Sequence, residues 1–145
     1  IPHPYPEGAA ETFITGVTKD WVDKKSAVFA ITLQSTGELC GTIGLILEQK
    51  HARAEMGYWV GVPFWSKGIC TEAARCLLKF GFEPLELNKI QAHHFSRNPG
   101  SGRVMQKIGM KHEGHLRQHV RKWDHFEDLE FYGILREEWL TTKSH

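Results

Sequence analysis

The sequence of 145 residues is short of most features that would place it outside ordinary globular chemistry. It has three cysteines, Cys40, Cys70 and Cys76, and no C-x-x-C pair. An odd count without that pairing argues against a disulfide framework and a structural zinc site, and no metal is expected. A reducing cytoplasm is the simpler setting for such thiols. Apolar runs such as Ile43 to Leu47 are far too short to cross a bilayer, and no secretory pattern opens the chain, so no membrane partner is expected. Charge of one sign is also lacking. Eighteen basic against seventeen acidic residues leave a net +1, so no bulk field draws nucleic acid directly. There is no internal repeat and no low-complexity segment.

What is present is globular. Hydrophobic residues make up 41% and charged residues 24% of the chain, ordinary usage that excludes disorder and coiled coil. A chain of this length buries about 68–70% of its unfolded surface without staples. One domain over residues 1–145 is expected.

The opening Ile1-Pro2-His3-Pro4-Tyr5-Pro6 cannot be helical. Glu7 to Lys24 then reads as a helix, with Ala10, Phe13, Ile14, Val17 and Trp21 at steps of three and four. Ala27 to Leu33 and Leu39 to Leu47 read as a hairpin around Ser35-Thr36-Gly37-Glu38. Ala54 to Val60 is a third strand. Thr71 to Phe82 is a helix with an apolar face of Ala73, Ala74, Leu77, Leu78 and Phe82, stopped by Pro84. Lys89 to Phe95 is strand-like. Asn98 is a good N-cap before Pro99, in a helix lined by Val104, Met105 and Ile108 and ended by Gly109. Met110 to Val120 and Phe126 to Leu135 are two long strands around Trp123-Asp124-His125.

Val60 to Thr71 therefore joins a strand to a helix through a loop containing Gly61 and Gly68. Free N–H groups at a helix start carry about half a positive charge, which suits a pyrophosphate. Gly68 permits close approach and Lys67 adds a charge. On these grounds alone a plain connection is equally compatible.

The segment Ala54-Glu55-Met56-Gly57-Tyr58-Trp59-Val60, followed by Trp65-Ser66-Lys67-Gly68-Ile69-Cys70-Thr71-Glu72-Ala73, resembles the acetyl-CoA motif of the GNAT acyltransferase superfamily. In the pattern Q/R-x-x-G-x-G/A, Trp65 stands first, as in the RimJ/RimL-type branch, with Gly68 fourth and Cys70 sixth. Cys70 departs from the usual Gly or Ala, and its thiol crowds the loop. Asn98-Pro99-Gly100-Ser101 with Lys107-Ile108-Gly109-Met110-Lys111-His112-Glu113-Gly114 resembles the branch's N-x-x-S…K-x-G-F-x-x-E-G segment. Asp128 and Tyr132 to Trp139 also fit. The resemblance runs from about Pro4 to Trp139. The opening strand and helix of that branch are absent, so the domain is expected to be N-terminally incomplete.

The resemblance implies an α/β (α+β) GNAT fold: a mixed, mostly antiparallel sheet with helices on both faces. Acetyl-CoA would lie between the strand ending at Val60 and the strand ending near Phe95. Trp59, Val60, Trp65, Ser66, Lys67, Gly68, Ile69, Cys70, Thr71, Asn98 and Ser101 would bind it. The function implied is N-acetylation of a primary amine, a protein N-terminus of the ribosomal-protein type ahead of a small molecule. A non-catalytic acyl-CoA-binding module is the alternative, and a homodimer stays open.

Acetyl transfer needs a neutral amine, a polarised carbonyl and a protonated leaving thiolate. At pH 7 deprotonation costs roughly 1.4 kcal/mol for an α-amine and roughly 4.6 for lysine. Glu55, early on the third strand where some family members place a catalytic glutamate, is the candidate base, expected to be partly desolvated with a raised pKa; a solvated carboxylate or salt-bridge partner is the alternative. Backbone N–H groups from Trp59 to Gly61 would polarise the carbonyl. Where many family members place a proton-donating tyrosine stands Met105, which cannot donate; the branch suggests Ser101, in the first turn of the same helix, to protonate the thiolate, with helix capping as its alternative role. His115 and His119, four apart on a strand, should share a face; metal ligation there would need a third ligand, such as His112 or Asp124. Residues 86–125 hold eight Lys/Arg and three Asp/Glu, a surplus suited to CoA phosphates or an acidic peptide.

Overall fold

The computed structural model describes residues 3–4, 12–15, 25–33, 36–60 and 68–143, with only the backbone of 3–4, 12–15, 59–60 and 142–143. Eight strands form one sheet: β1 (His3–Pro4), β2 (Thr12–Thr15), β3 (Ser26–Leu33), β4 (Leu39–Glu48), β5 (Arg53–Val60), β6 (Lys89–Phe95), β7 (Lys111–Lys122) and β8 (His125–Leu135). Among the described residues three α-helices accompany them, α1 (Ile69–Phe82), α2 (Pro99–Lys107) and α3 (Arg136–Lys143), with one turn of 3-10 helix at Gln49–His51. The strand order is β1-β2-β3-β4-β5-β6-β8-β7. Every neighbouring pair is antiparallel except β5 and β6. The expected mixed sheet is present.

Period-two patterning puts one face of this sheet in the core. Ala27, Phe29 and Ile31 of β3 are buried while Val28 between them is 46% exposed. Cys40, Ile43 and Leu45 of β4, Ala54 and Met56 of β5, and Ile90 and Ala92 of β6 join the same cluster. Against it lies the apolar face of α1: Ile69, Ala73, Ala74, Leu77, Leu78 and Phe82. Each large side chain so buried contributes roughly 1.5–3 kcal/mol. Trp139 of α3 packs on Phe82 with ring centroids 5.4 Å apart. Gly102 of α2 meets β6 so closely that a Cβ there would stand 2.8 Å from His94 Nε2. The three helices thus share one face of the sheet. The other face shows Val28 and, at 65% exposure, Ile46.

Two expectations change. The segment Glu7–Lys24 is not one helix: Thr12–Thr15 is strand, paired antiparallel with Leu33–Ala30. The remainder of that segment lies outside the described residues, and with it the support for helices on both faces. The β-branched Thr12, Ile14 and Thr15 and the aromatic Phe13 favour the extended state, and sheet pairing overrides the three-and-four spacing. The second change is α3, which follows directly on the last strand and for which the sequence reading gave no element beyond Leu135.

Candidate active site

The parallel pair β5–β6 is where the sheet opens. Its register covers only Arg53–Lys89, Ala54–Ile90 and Glu55–Gln91. β5 continues to Val60 and β6 to Phe95, so Met56–Val60 and Ala92–Phe95 diverge from each other as a V. Their facing backbone groups are free to bond an extended chain laid between them, as strands bond an added peptide. A chain with amide groups of its own fits there.

At the mouth of the V, α1 begins. Gly68 precedes it with φ 77°, a left-handed conformation. A side chain there would be strained whatever the space, at about 1–2 kcal/mol, and a proline could not adopt it. The Cβ position of Gly68 meets nothing within 4 Å among the described residues, which leaves room for a ligand against the backbone. The side chains of Ile69 and Thr71 are buried, so these two residues offer a ligand their N–H groups, which the helix itself leaves unsatisfied. Trp65, Ser66 and Lys67 lie outside the described residues, as do the side chains of Trp59 and Val60.

The two faces of β5 carry different chemistry. Glu55 alternates with the buried Ala54 and Met56 and so projects to the face away from the helices. Its carboxylate contacts His93 Nδ1 in an ion pair, with both side chains about one third exposed. Gln91 adds a further hydrogen bond. The expectation of a raised Glu55 pKa is overturned: the hydrogen bond and charge of His93 outweigh desolvation and hold the carboxyl below its usual range. The same contact raises His93 against the opposing pull of burial. The His93 ring rests on Phe131, with centroids 5.0 Å apart.

Tyr58 projects to the helix face. Its hydroxyl donates to the Ser101 carbonyl in the first turn of α2, at 3.4 Å. Burial, with a contribution from Cys70, pushes the phenol up to about 12. The Cys70 thiol is likewise pushed up to about 12 by burial. It is therefore protonated at neutral pH and no nucleophile. Tyr58, Cys70 and Ser101 thus meet on one side of the V, and Glu55 and His93 on the other. The sequence showed no signal for His93, which lies 38 positions from Glu55; only the β5–β6 register joins them.

Asn98 precedes α2 but makes no side-chain capping bond. Its own carbonyl takes the Ser101 N–H at 3.2 Å, and Pro99 has no N–H to cap. The exposed Asn98 amide is left for other partners. Met105 is buried in the core and cannot reach the V. His115 and His119 do not share a face. A register shift between Leu116 and Val120, with Gln118 at φ 48°, turns the strand. His115 bonds Glu130 and Asp128, while the His119 ring meets Phe131. His112 also bonds Glu130, and these contacts with Ser96 hold that carboxyl down at about 2. Among the described residues no group of three His, Cys, Asp or Glu could hold a metal ion, and no helix is long and apolar enough to cross a membrane.

A sheet split at one parallel pair, with a helix start at the mouth of the split, is the frame of an acyl-CoA-dependent acetyltransferase. The sequence model of the acetyltransferase (GNAT) domain matches residues 1–111, and the chain belongs to this family of acyltransferases. YdaF of Bacillus subtilis (strain 168), named as a ribosomal N-acetyltransferase candidate, is 35% identical over 134 residues, covering 90% of this chain and 73% of YdaF. YoaA of the same organism, an uncharacterized N-acetyltransferase, is 36% identical over 115 residues, 79% of this chain and 65% of its own. The crystal structure of a probable acetyltransferase superposes with a TM-score of 0.78 at 34% identity, covering 83% of this chain and 68% of that one. Spermidine N-acetyltransferase SpeG of Vibrio cholerae, at 24% identity and a TM-score of 0.79, covers 86% of this chain and 74% of its own and shares the fold.

Proposed function

We propose that the protein moves an acetyl group from acetyl-CoA to the α-amine of a protein N-terminus. The observation that carries this reading is the V beyond Glu55 and Gln91. Its free strand edges suit the amide-bearing arm of CoA, and the start of α1 beyond Gly68 suits the pyrophosphate. The Lys/Arg surplus in residues 86–125 favours an acidic or neutral peptide over a polycation such as a polyamine. The similarity to YdaF points the same way. Residues 1–145 would act as one catalytic domain in the reducing cytoplasm, which suits three free cysteines. Thiol release from acetyl-CoA with a panel of peptides and polyamines tests the reading. Release should be fastest with peptide α-amines. A protein whose melting shifts with CoA but which releases no thiol would be a binding module, and faster release with polyamines would move the acceptor class.

Within this reading the amine is deprotonated on the Glu55 side of the V and the thiolate is protonated on the Ser101 side. Ser101 is the proposed proton donor, with Tyr58 bracing its turn. Ser101→Ala should then lower kcat by roughly 10²-fold with CoA affinity nearly unchanged. Tyr58→Phe removes one long hydrogen bond and should stay within about fivefold of wild type. Weaker CoA binding at constant kcat in Ser101→Ala would leave Ser101 a positioning role. The reverse order of the two kcat losses would make the phenol the donor.

A further inference from the structure

We propose that the proton acceptor for the amine is His93 Nε2, and that Glu55 acts through it as the carboxylate holding His93 Nδ1–H. This rests on the acetyltransferase reading and assigns a residue that the sequence did not single out. Four observations carry it. Glu55 meets His93 at Nδ1, which in the neutral ring makes Nδ1 the donor and leaves the lone pair on Nε2. The ring is held by Phe131 at 5.0 Å, so its direction is set. Its side chain is 38% exposed, so an ammonium group can reach it. And His93 stands on β6 beyond the last β5–β6 pair, on the wall of the V rather than at its closed end.

The alternative, Glu55 as direct base, fits less well. Its carboxylate is already occupied by His93 and Gln91, whose hydrogen bonds hold it below the usual carboxylate range, whereas the same contact raises His93 above the usual imidazole range. A raised imidazole is therefore the better match to an amine of pKa about 8. The other ionisable groups around this face are Arg53, paired with Glu48, Lys89, engaged by Glu113, Arg97 and Lys122 over the Phe95 ring, and His119, whose ring meets Phe131. In the step itself, one proton passes from R–NH₃⁺ to His93 Nε2. The freed lone pair forms the N–C bond, and the C–S bond breaks. The second nitrogen proton is lost as the thiolate gains one, and His93 returns its proton to water through its exposed edge. Atoms and charge balance as amide, CoA thiol and one proton released.

The test uses His93→Asn, in which the amide nitrogen stands in for Nδ1 and keeps the bond to Glu55 while Nε2 is lost. The expected result is a kcat loss of roughly 10²–10⁴-fold at pH 7, with CoA affinity by calorimetry and the melting temperature close to wild type. In wild type, kcat at saturating peptide should rise with pH along a limb centred above the usual imidazole range. Glu55→Gln should move that limb down, because a histidine without its carboxylate loses the interaction that raised it. The NMR titration of the His93 ring should move by the same amount, a readout that needs no turnover. The proposal is overturned if His93→Asn keeps the wild-type limb and activity within threefold. It is equally overturned if the His93 titration is the same in Glu55→Gln as in wild type. Wild-type protein that binds CoA and acetylates no amine would instead sink the acetyltransferase reading, whatever His93 does.

Discussion

Glu55→Gln should lower kcat/KM for a peptide α-amine by roughly 10²–10⁴-fold at pH 7, the range for losing a positioned acid–base group. Glutamine keeps the shape and still accepts a hydrogen bond from His93, but it withdraws the negative charge that raises the imidazole. Two consequences follow from the sign of that shift. His93 titrates lower in the variant, so a larger fraction is neutral at pH 7 yet each neutral ring is a weaker base. The variant's deficit should therefore shrink as pH rises, because an acceptor that is already neutral needs no base. The deficit should also depend on the amine. An α-amine costs roughly 1.4 kcal/mol to deprotonate at pH 7 and a lysine-type amine roughly 4.6, so the second should suffer more by up to the difference. Parallel pH–rate profiles for variant and wild type, with activity within threefold, would return Glu55 to a structural ion pair with no part in the proton transfer.

The frame of this site was legible because its parts are local. The alternation of Ala27, Phe29 and Ile31, the α1 stripe ending at Phe82, and Pro99 at the start of α2 each announce an element within a dozen residues. The strand–loop–helix around Gly68 was legible for the same reason, and φ 77° gives its glycine a physical cause. Glu55 could be named from its place early in a strand beside that loop. Its partner could not. Glu55 and His93 meet only because a parallel register sets Glu55 beside Gln91, and a parallel pairing leaves no signal between strands so far apart in sequence. The pKa of Glu55 went astray for that reason: burial was foreseeable, a histidine on the neighbouring strand was not. The reading of His115 and His119 failed on a bulge: between Leu116 and Val120 the strand makes four steps against two of its partner, and inside that irregularity, next to the left-handed Gln118, His119 turns to Phe131. The segment around Thr12–Thr15 failed differently. Its three-and-four spacing is a helical pattern, but a strand was already waiting beside it at Ala30–Leu33, and tertiary pairing decides where local preference is weak.

Phe82→Ala should have the largest effect on stability, a loss of about 3–5 kcal/mol, the usual cost of emptying a buried phenylalanine site. Phe82 is 0% exposed and sits on the last turn of α1, against Trp139 of α3. It is the side chain that ties α1 to the C-terminal helix, and the tryptophan is too rigid to fill the space an alanine leaves. For a chain of this size the loss corresponds to a fall in melting temperature of roughly 10–20 °C, with a smaller fall for Phe82→Leu. A midpoint within about 2 °C of wild type would show that the site collapses freely and that α3 is not held there. The same variant tests how α1 serves the cofactor. The helix is 14 residues long, about 21 Å, with Phe82 at one end and the Gly68 turn at the other. CoA at a fixed concentration of about a hundred times the wild-type Kd should add roughly 2.7 kcal/mol to wild type. An equal increment in both means that the helix start is set by the β5 side of the core, through Ile69, Ala73 and Ala74. A smaller increment in Phe82→Ala means that loosening the far end of α1 reaches its N-terminus, and that the packing of α1 and α3 helps to hold the N–H groups in place for the phosphates.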